Sequence, residues 1–174
     1  MQWFSRIAYV VLFLSLSLNL AFYIALKDYY SKEQEAKKQA MLEEQHCIIE
    51  ALWHEARGEG SEGLVAVASV IDNRKNHPDY PATYCGVIKQ SKQFSYTLMN
   101  KPSAKRLEAS RSVQNDPVYV EIQQLSQKML EGDFKPSLGS RVLWYTTHKV
   151  KNQWTKTKMI VKKIGNHRFY SDKE

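Results

Sequence analysis

The segment CIIEALWHEARGEGSEG, residues 47 to 63, concentrates the residues able to move a proton. On a helical wheel at about 100° per residue, Ile48, Ile49, Leu52, Trp53 and Ala56 form one apolar arc, and Glu50, His54 and Arg57 gather opposite it. Glu55 falls inside the apolar arc. A carboxylate is costly there unless paired or protonated, and desolvation raises its pKa toward the range a general acid needs near neutral pH. The bland alternative is an ion pair at the helix end with Arg57 or Arg74. The neighbouring His54 suggests a zinc-protease helix, but the second histidine would have to stand at position 58, which is Gly. Neither metal nor cofactor is expected.

The elements that must hold this segment follow from the surrounding pattern. Helical periodicity covers about 46 to 58 and 61 to 75, then a loop punctuated by Pro78 and Pro81, a short helix near 83 to 91, and a helix over 116 to 131 closed by Gly132. From Arg141 onward VLWYTTH, KMIVKKI and HRFY read as strands. Helices followed by a small sheet predict an α+β fold. Arg57, Glu59 and Glu62 also read as solvated charges about the Gly58 and Gly60 turn.

The first quarter of the chain has a different character. Ile7 to Leu26 is a charge-free run of 20 residues, about the length of a bilayer-spanning helix. It ends in Phe22, Tyr23, Ile24, Ala25 and Leu26, without the small-residue pattern of a signal-peptidase site. We expect an uncleaved signal anchor over 1–26, single-pass in the cytoplasmic (inner) membrane. Arg6 favours an amino terminus held inside, which puts the domain in the periplasm or outside the cell. Residues 27–45, rich in Glu, Lys, Gln and Ala, form a polar helical linker, up to roughly 28 Å long at about 1.5 Å per residue. Residues 46–174 then form one domain.

Residues 141 to 174 carry nine Lys or Arg against two acidic residues, and the rest of the chain balances. This face could meet nucleic acid, an anionic envelope polymer or a membrane surface, but no nucleic-acid-binding motif accompanies it. Cys47 and Cys85 are too few and too far apart for a structural zinc site; the residues alone allow one disulfide or two buried thiols.

The string WHEARGEGSEGLVAVASVIDNRKNHPDYPATYCGVIKQSKQFSYT, with LWYTTH, Trp154 and KKIGNHRFY further on, resembles the SleB type cell-wall hydrolase family. It carries an EARGE helix end, a Gly-x-x-AVA-x-V-x-x-NR helix, a Tyr-Pro loop, a QFS motif and a closing IG-x-H-x-F segment, in order across about residues 46 to 170. Departures from the family pattern are Trp53 and the pair Thr146 and Thr147. The resemblance implies a lysozyme-like helical domain with a small C-terminal antiparallel sheet, acting on peptidoglycan between N-acetylmuramic acid and N-acetylglucosamine. It implies lytic transglycosylation with Glu55 as the acid/base, and a Cys47 to Cys85 disulfide.

A transglycosylase needs one carboxyl group, since the sugar's own C6 hydroxyl attacks; a two-carboxylate muramidase needs a partner, for which Glu59, Glu62, Asp72 and Asp116 are candidates. Gln93, Phe94, Ser95, Tyr145 and Trp154 are expected to line the sugar cleft. Arg57, Glu59, Asn73 and Arg74 are expected to support it, the last two by capping their helix and orienting the glutamate. His167 is read as structural. The competing classes are a catalytically silent wall-binding domain and a membrane-tethered nucleic-acid binder. No nucleic acid and no obligate protein partner are expected.

Overall fold

No Gly or Pro occurs between Gln2 and Ala56, and in the computed structural model these residues form one unbroken helix, α1. The structure describes residues 2–90, 103–148 and 153–173. The expected anchor, linker and first domain helix are therefore stretches of a single element, and two compact units divide the chain, Met1–Met41 and Leu42–Glu174.

The first unit is helix alone. It is long and apolar enough to cross a membrane, and none of its apolar stretch is buried within the protein. The polar residues inside that stretch return their hydrogens to the backbone: Ser15 Oγ donates to Leu12 O, Ser17 Oγ to Leu14 O and Asn19 Nδ2 to Ser15 O, at 2.8, 2.9 and 2.7 Å. Donors satisfied in this way are what a hydrocarbon environment tolerates. Beyond the apolar stretch the surface turns polar, with i,i+4 ion pairs of Lys32 with Asp28 and Lys37 with Glu33.

In the second unit every buried apolar residue lies at or beyond Cys47 among the described residues. Six elements of helix and strand join the end of α1: α2 (Gly60–Lys75), α3 (Tyr84–Ile88), α6 (Pro117–Glu131), β1 (Trp144–Thr147), β2 (Lys158–Ile164) and β3 (His167–Asp172). Two short helices, α4 (Ala104–Glu108) and α5 (Arg111–Gln114), were not foreseen, being too short to show a period. Leu64, Val67, Val70 and Ile71 of α2 are fully buried, with Ala66 and Ala68 between them as small side chains. They join Ile48, Ile49 and Leu52 of α1 and Tyr119 and Ile122 of α6 in one core, where Trp53 meets Tyr119 edge-on at 5.6 Å. Asp116 caps α6 by accepting from Val118 N at 2.9 Å, Pro117 opens the helix, and Gly132 closes it at φ 81°.

The sheet is antiparallel in the order β1-β3-β2, so the unit is mostly helical with three strands at its end, as expected. The carboxy-terminal end of α2 holds the approach to it. Asn73 Nδ2 donates to Gly139 O and Val142 O, at 2.9 and 3.1 Å, and Arg74 Nε to Leu143 O at 2.7 Å. These two residues thus position β1.

α3 is fastened to α1 twice. Glu44 accepts from the backbone N–H groups of Tyr84 and Cys85, at 2.6 and 3.3 Å, and the Cys47–Cys85 disulfide bridges α-carbons 5.3 Å apart. The disulfide spans 38 residues, for which loop-closure entropy gives about 4 kcal/mol. We expect a Cys47→Ala, Cys85→Ala double variant to lose stability of that order in urea unfolding; an unchanged midpoint would show that Glu44 and the core suffice.

Candidate active site

α1 and α2 are joined by three residues, Arg57, Gly58 and Glu59, with Glu59 N donating to Ala56 O at 3.0 Å and Gly60 at φ 69°. Glu55 stands in the last turn of α1. Its wheel neighbours Ala51 and Ile48 are both fully buried, and Glu55 itself, one residue before the end of the helix, is half-buried. A half-buried carboxyl beside an apolar wall can meet a substrate and still be partly shielded from water. Arg57 is exposed and lies over the Trp53 ring, its guanidinium carbon 5.0 Å from the centroid.

Glu59 turns toward the sheet. One oxygen accepts from Asn166 N at 2.7 Å and the other from Asn166 Nδ2 at 3.1 Å, in the turn between β2 and β3. Two glycines make the room: a β-carbon on Gly165, itself at φ 52°, would collide with the Glu59 carboxylate, and one on Gly63 would collide with the Glu59 β-carbon. Burial works against the charge on Glu59, but the two Asn166 hydrogen bonds, with His167 and His148, outweigh it and hold the carboxyl below its ordinary pKa.

His167 is buried with Nδ1 3.8 Å from Glu59 and no hydrogen-bond partner on that nitrogen. Burial lowers its pKa, against the pull of Glu59. Tyr145 packs edge-on against His167 at 5.2 Å and stacks on Phe169 at 5.9 Å. His148 N donates to Asn166 O at 2.9 Å. The end of α1, the start of α2, the β2–β3 turn and the end of β1 therefore converge, bringing Glu59, Asn166, His167, His148 and Tyr145 together beside the α1–α2 turn.

Other expected site residues lie elsewhere. Trp154, in a 3-10 turn over Gln153–Lys156, meets Tyr170 at 5.2 Å. Tyr170 and Phe169 alternate across β3, so Trp154 and Tyr145 occupy opposite faces of the sheet and cannot share one cleft wall. Arg74 and Asn73 belong to the last turn of α2, and Arg74 is about 21 Å along the helix from Gly60 by its rise. Hydrogen bonds from both run to the 139–143 segment, at the approach to β1. Gln93, Phe94 and Ser95 lie outside the described residues.

All four candidate second carboxylates carry structural bonds. Besides Glu59, Glu62 pairs with Lys162 at 2.9 Å, and Asp72 accepts from Tyr84 Oη at 2.7 Å and from Asn76 Nδ2 at 3.1 Å. Asp116 is the α6 cap described above. No cluster of three or more His, Cys, Asp or Glu side chains among the described residues is arranged to hold a metal ion. Reasoning from sequence missed Asn166 and His148. The Gly165–Asn166 pair between two strand runs is a hairpin signal, and that signal leads to the turn but not to its partner Glu59 at the α1–α2 junction.

Comparison with known proteins agrees with this architecture. Residues 58–170 match the family model described as Cell Wall Hydrolase, and the chain belongs to that family. It is 31% identical over 126 residues to the spore cortex-lytic enzyme of Oceanobacillus iheyensis, covering 70% of this chain and 39% of that one. The corresponding enzyme of Bacillus subtilis is 46% identical over 48 residues, 28% of this chain and 16% of that one. The chain thus spans well under half the length of these curated relatives. The catalytic domain of the germination-specific lytic transglycosylase SleB from Bacillus anthracis superposes with a TM-score of 0.55 at 25% identity, over 74% of this chain and 93% of that one. The catalytic domain of Bacillus cereus SleB gives 0.55 at 24%, over 74% and 89%. The fold is that of the SleB catalytic domain.

Glu59 and His167 define a pH dependence. A carboxyl with a lowered folded pKa adds stability above its unfolded value, near 4.5, and loses it as pH falls through the folded value. A histidine with a lowered folded pKa withdraws stability as pH falls below 6.5. We expect Glu59→Gln to cost about 1.5–3 kcal/mol at pH 7, as for hydrogen bonds to a charged group, and the gap from the parent to close below pH 4. Thermal unfolding from pH 3 to 8 measures it, and a constant gap would contradict the clamp.

Proposed function

We propose that this protein cleaves the glycan strand of peptidoglycan between N-acetylmuramic acid and N-acetylglucosamine as a lytic transglycosylase, leaving 1,6-anhydromuramic ends. The observation that carries this reading is the half-buried Glu55 at the α1–α2 turn, while Glu59, Glu62, Asp72 and Asp116 are engaged in structural bonds. Membership of the cell wall hydrolase family and the likeness to lytic enzymes support the substrate class. The family match begins at residue 58, so the role of Glu55 rests on its EARGE motif and on its position.

In this reaction the Glu55 carboxyl protonates the glycosidic oxygen as the bond to the anomeric carbon breaks. The C6 hydroxyl of the muramic residue then attacks that carbon and passes its proton to the Glu55 carboxylate, which restores the acid. No water is consumed and no second carboxylate is needed. Tyr145, on the face of the sheet that also carries His167, lines the substrate side, and Glu59 with Asn166 fixes the turn that presents Glu55. The apolar end of α1 anchors the chain in the cytoplasmic membrane, with residues 46–174 on the wall side of it.

The test is mass spectrometry of muropeptides released from purified sacculi by the parent chain and by Glu55→Gln. Anhydro ends that disappear in the variant, with a loss of at least about 100-fold as for removal of a general acid, are expected. Reducing ends lost in the variant would overturn transglycosylation in favour of a two-carboxylate muramidase, and equal activity of the two proteins would remove Glu55 from the chemistry. No cleavage by either would favour a wall-binding domain.

A further inference from the structure

Strand β2 lies at the edge of the sheet and exposes three aliphatic side chains in succession, Met159 at 48%, Ile160 at 44% and Val161 at 46%. Within residues 42–174 the other exposed large apolar side chains among those described are Leu42 and Val120, each isolated in sequence from the triplet. The register puts Met159 and Ile160 on opposite faces of β2, with Val161 in the bulge that follows, so the three form an apolar rim along the free edge of the sheet rather than a patch on one face.

The surroundings of the triplet narrow what it meets. Lys156, Lys162, Lys163 and Lys173 are exposed around it. Lys162 pairs with Glu62, and Lys158 is drawn onto the Trp144 ring and Asp172. Lys156, Lys163 and Lys173 have no acidic partner among the described residues. Lys173 Nζ approaches Lys156 O at 3.4 Å, so two of these charges share one end of β2, and Lys163 lies at the other. A second copy joining edge to edge is disfavoured twice, by the lysines and by the bulge that takes Val161 out of register between Ile160 and Lys162. A hydrophilic anionic polymer would satisfy the lysines and leave the aliphatic side chains in water. An anionic bilayer takes both, with headgroup phosphates around the lysines and the triplet at the acyl boundary.

We propose that the β2 edge, through Met159, Ile160 and Val161 with Lys156, Lys163 and Lys173, is a docking surface for anionic phospholipid membranes. The surface belongs to residues 42–174, is independent of the apolar end of α1, and does not depend on the reaction proposed for Glu55.

Every buried apolar residue among those described lies at or beyond Cys47, and Leu42–Glu174 is a compact unit, so these residues are tested without the apolar helix. Sedimentation with sucrose-loaded vesicles of phosphatidylglycerol and of phosphatidylcholine is the assay. Binding to the first and not the second is expected, weakened at least about tenfold by Lys156→Glu with Lys163→Glu, since each lysine near an anionic surface is worth about fivefold. Ile160→Ser with Val161→Ser should weaken it as well, while both variants keep the parent's circular dichroism and its action on sacculi. As a second measurement, the full chain carrying a fluorophore at Met159→Cys is placed in nanodiscs with quencher-labelled lipid, and quenching only in anionic discs is expected. Absence of binding to phosphatidylglycerol at low salt would overturn the proposal. So would binding that ignores the serine variant, or a dimer in sedimentation equilibrium that the serine variant dissolves.

Discussion

Much of the domain's geometry depends on one carboxylate. Glu59 follows the end of α1 by three residues, and both of its oxygens are held by Asn166 in the β2–β3 turn, so two distant parts of the chain are locked through one side chain. Its surroundings are shaped around it: Gly63 and Gly165 must lack side chains for the carboxylate to reach the turn. The hydrogen bonds keep Glu59 ionised despite partial burial, and a charged acceptor makes a stronger bond than a neutral one. Glu55 stands in the last turn of α1, directly before this junction.

The other end of the sheet has a separate support. Asn73 and Arg74, near the end of α2, hold the backbone at Gly139, Val142 and Leu143 as it enters β1. Helix α2 therefore braces both ends of the sheet, Glu59 just before its first residue meeting the β2–β3 turn and the Asn-Arg pair meeting the start of β1. Rigid bracing of this kind would suit the acid proposed at Glu55, which has to meet a large polymer in a fixed position. Burial of α2 along most of its length makes the brace stiff, since its small and branched side chains pack on α1 and α6.

Charge is distributed by the same architecture. The basic carboxy-terminal region is spent in part internally, Lys162 on Glu62 and Lys158 on Asp172 and Trp144, and what remains unspent surrounds the exposed edge of β2. A net charge read from the sequence cannot separate these two populations, because the division depends on which lysines the hairpin brings against a carboxylate.

Local pattern was enough for several features. The 3.6-residue period of 61 to 75, the helix over 116 to 131 with its Gly132 stop, and the strand runs all appear close to where the residues indicated, since each depends on neighbours a few positions away. The family resemblance and the apolar run 7 to 26 were equally legible, being properties of residue order alone. Three things depended on the tertiary structure. Glu59 became a clamp only because a turn 107 positions away meets it. Asn73 and Arg74 became the support of β1 because the chain at 139–143 folds back onto the end of α2. Tyr145 and Trp154 separated onto opposite faces because the pleat alternates side chains and the 3-10 turn folds Trp154 over Tyr170. Sequence specifies which groups exist and the period on which they repeat; contact between groups far apart in the chain is decided by the packing of the core.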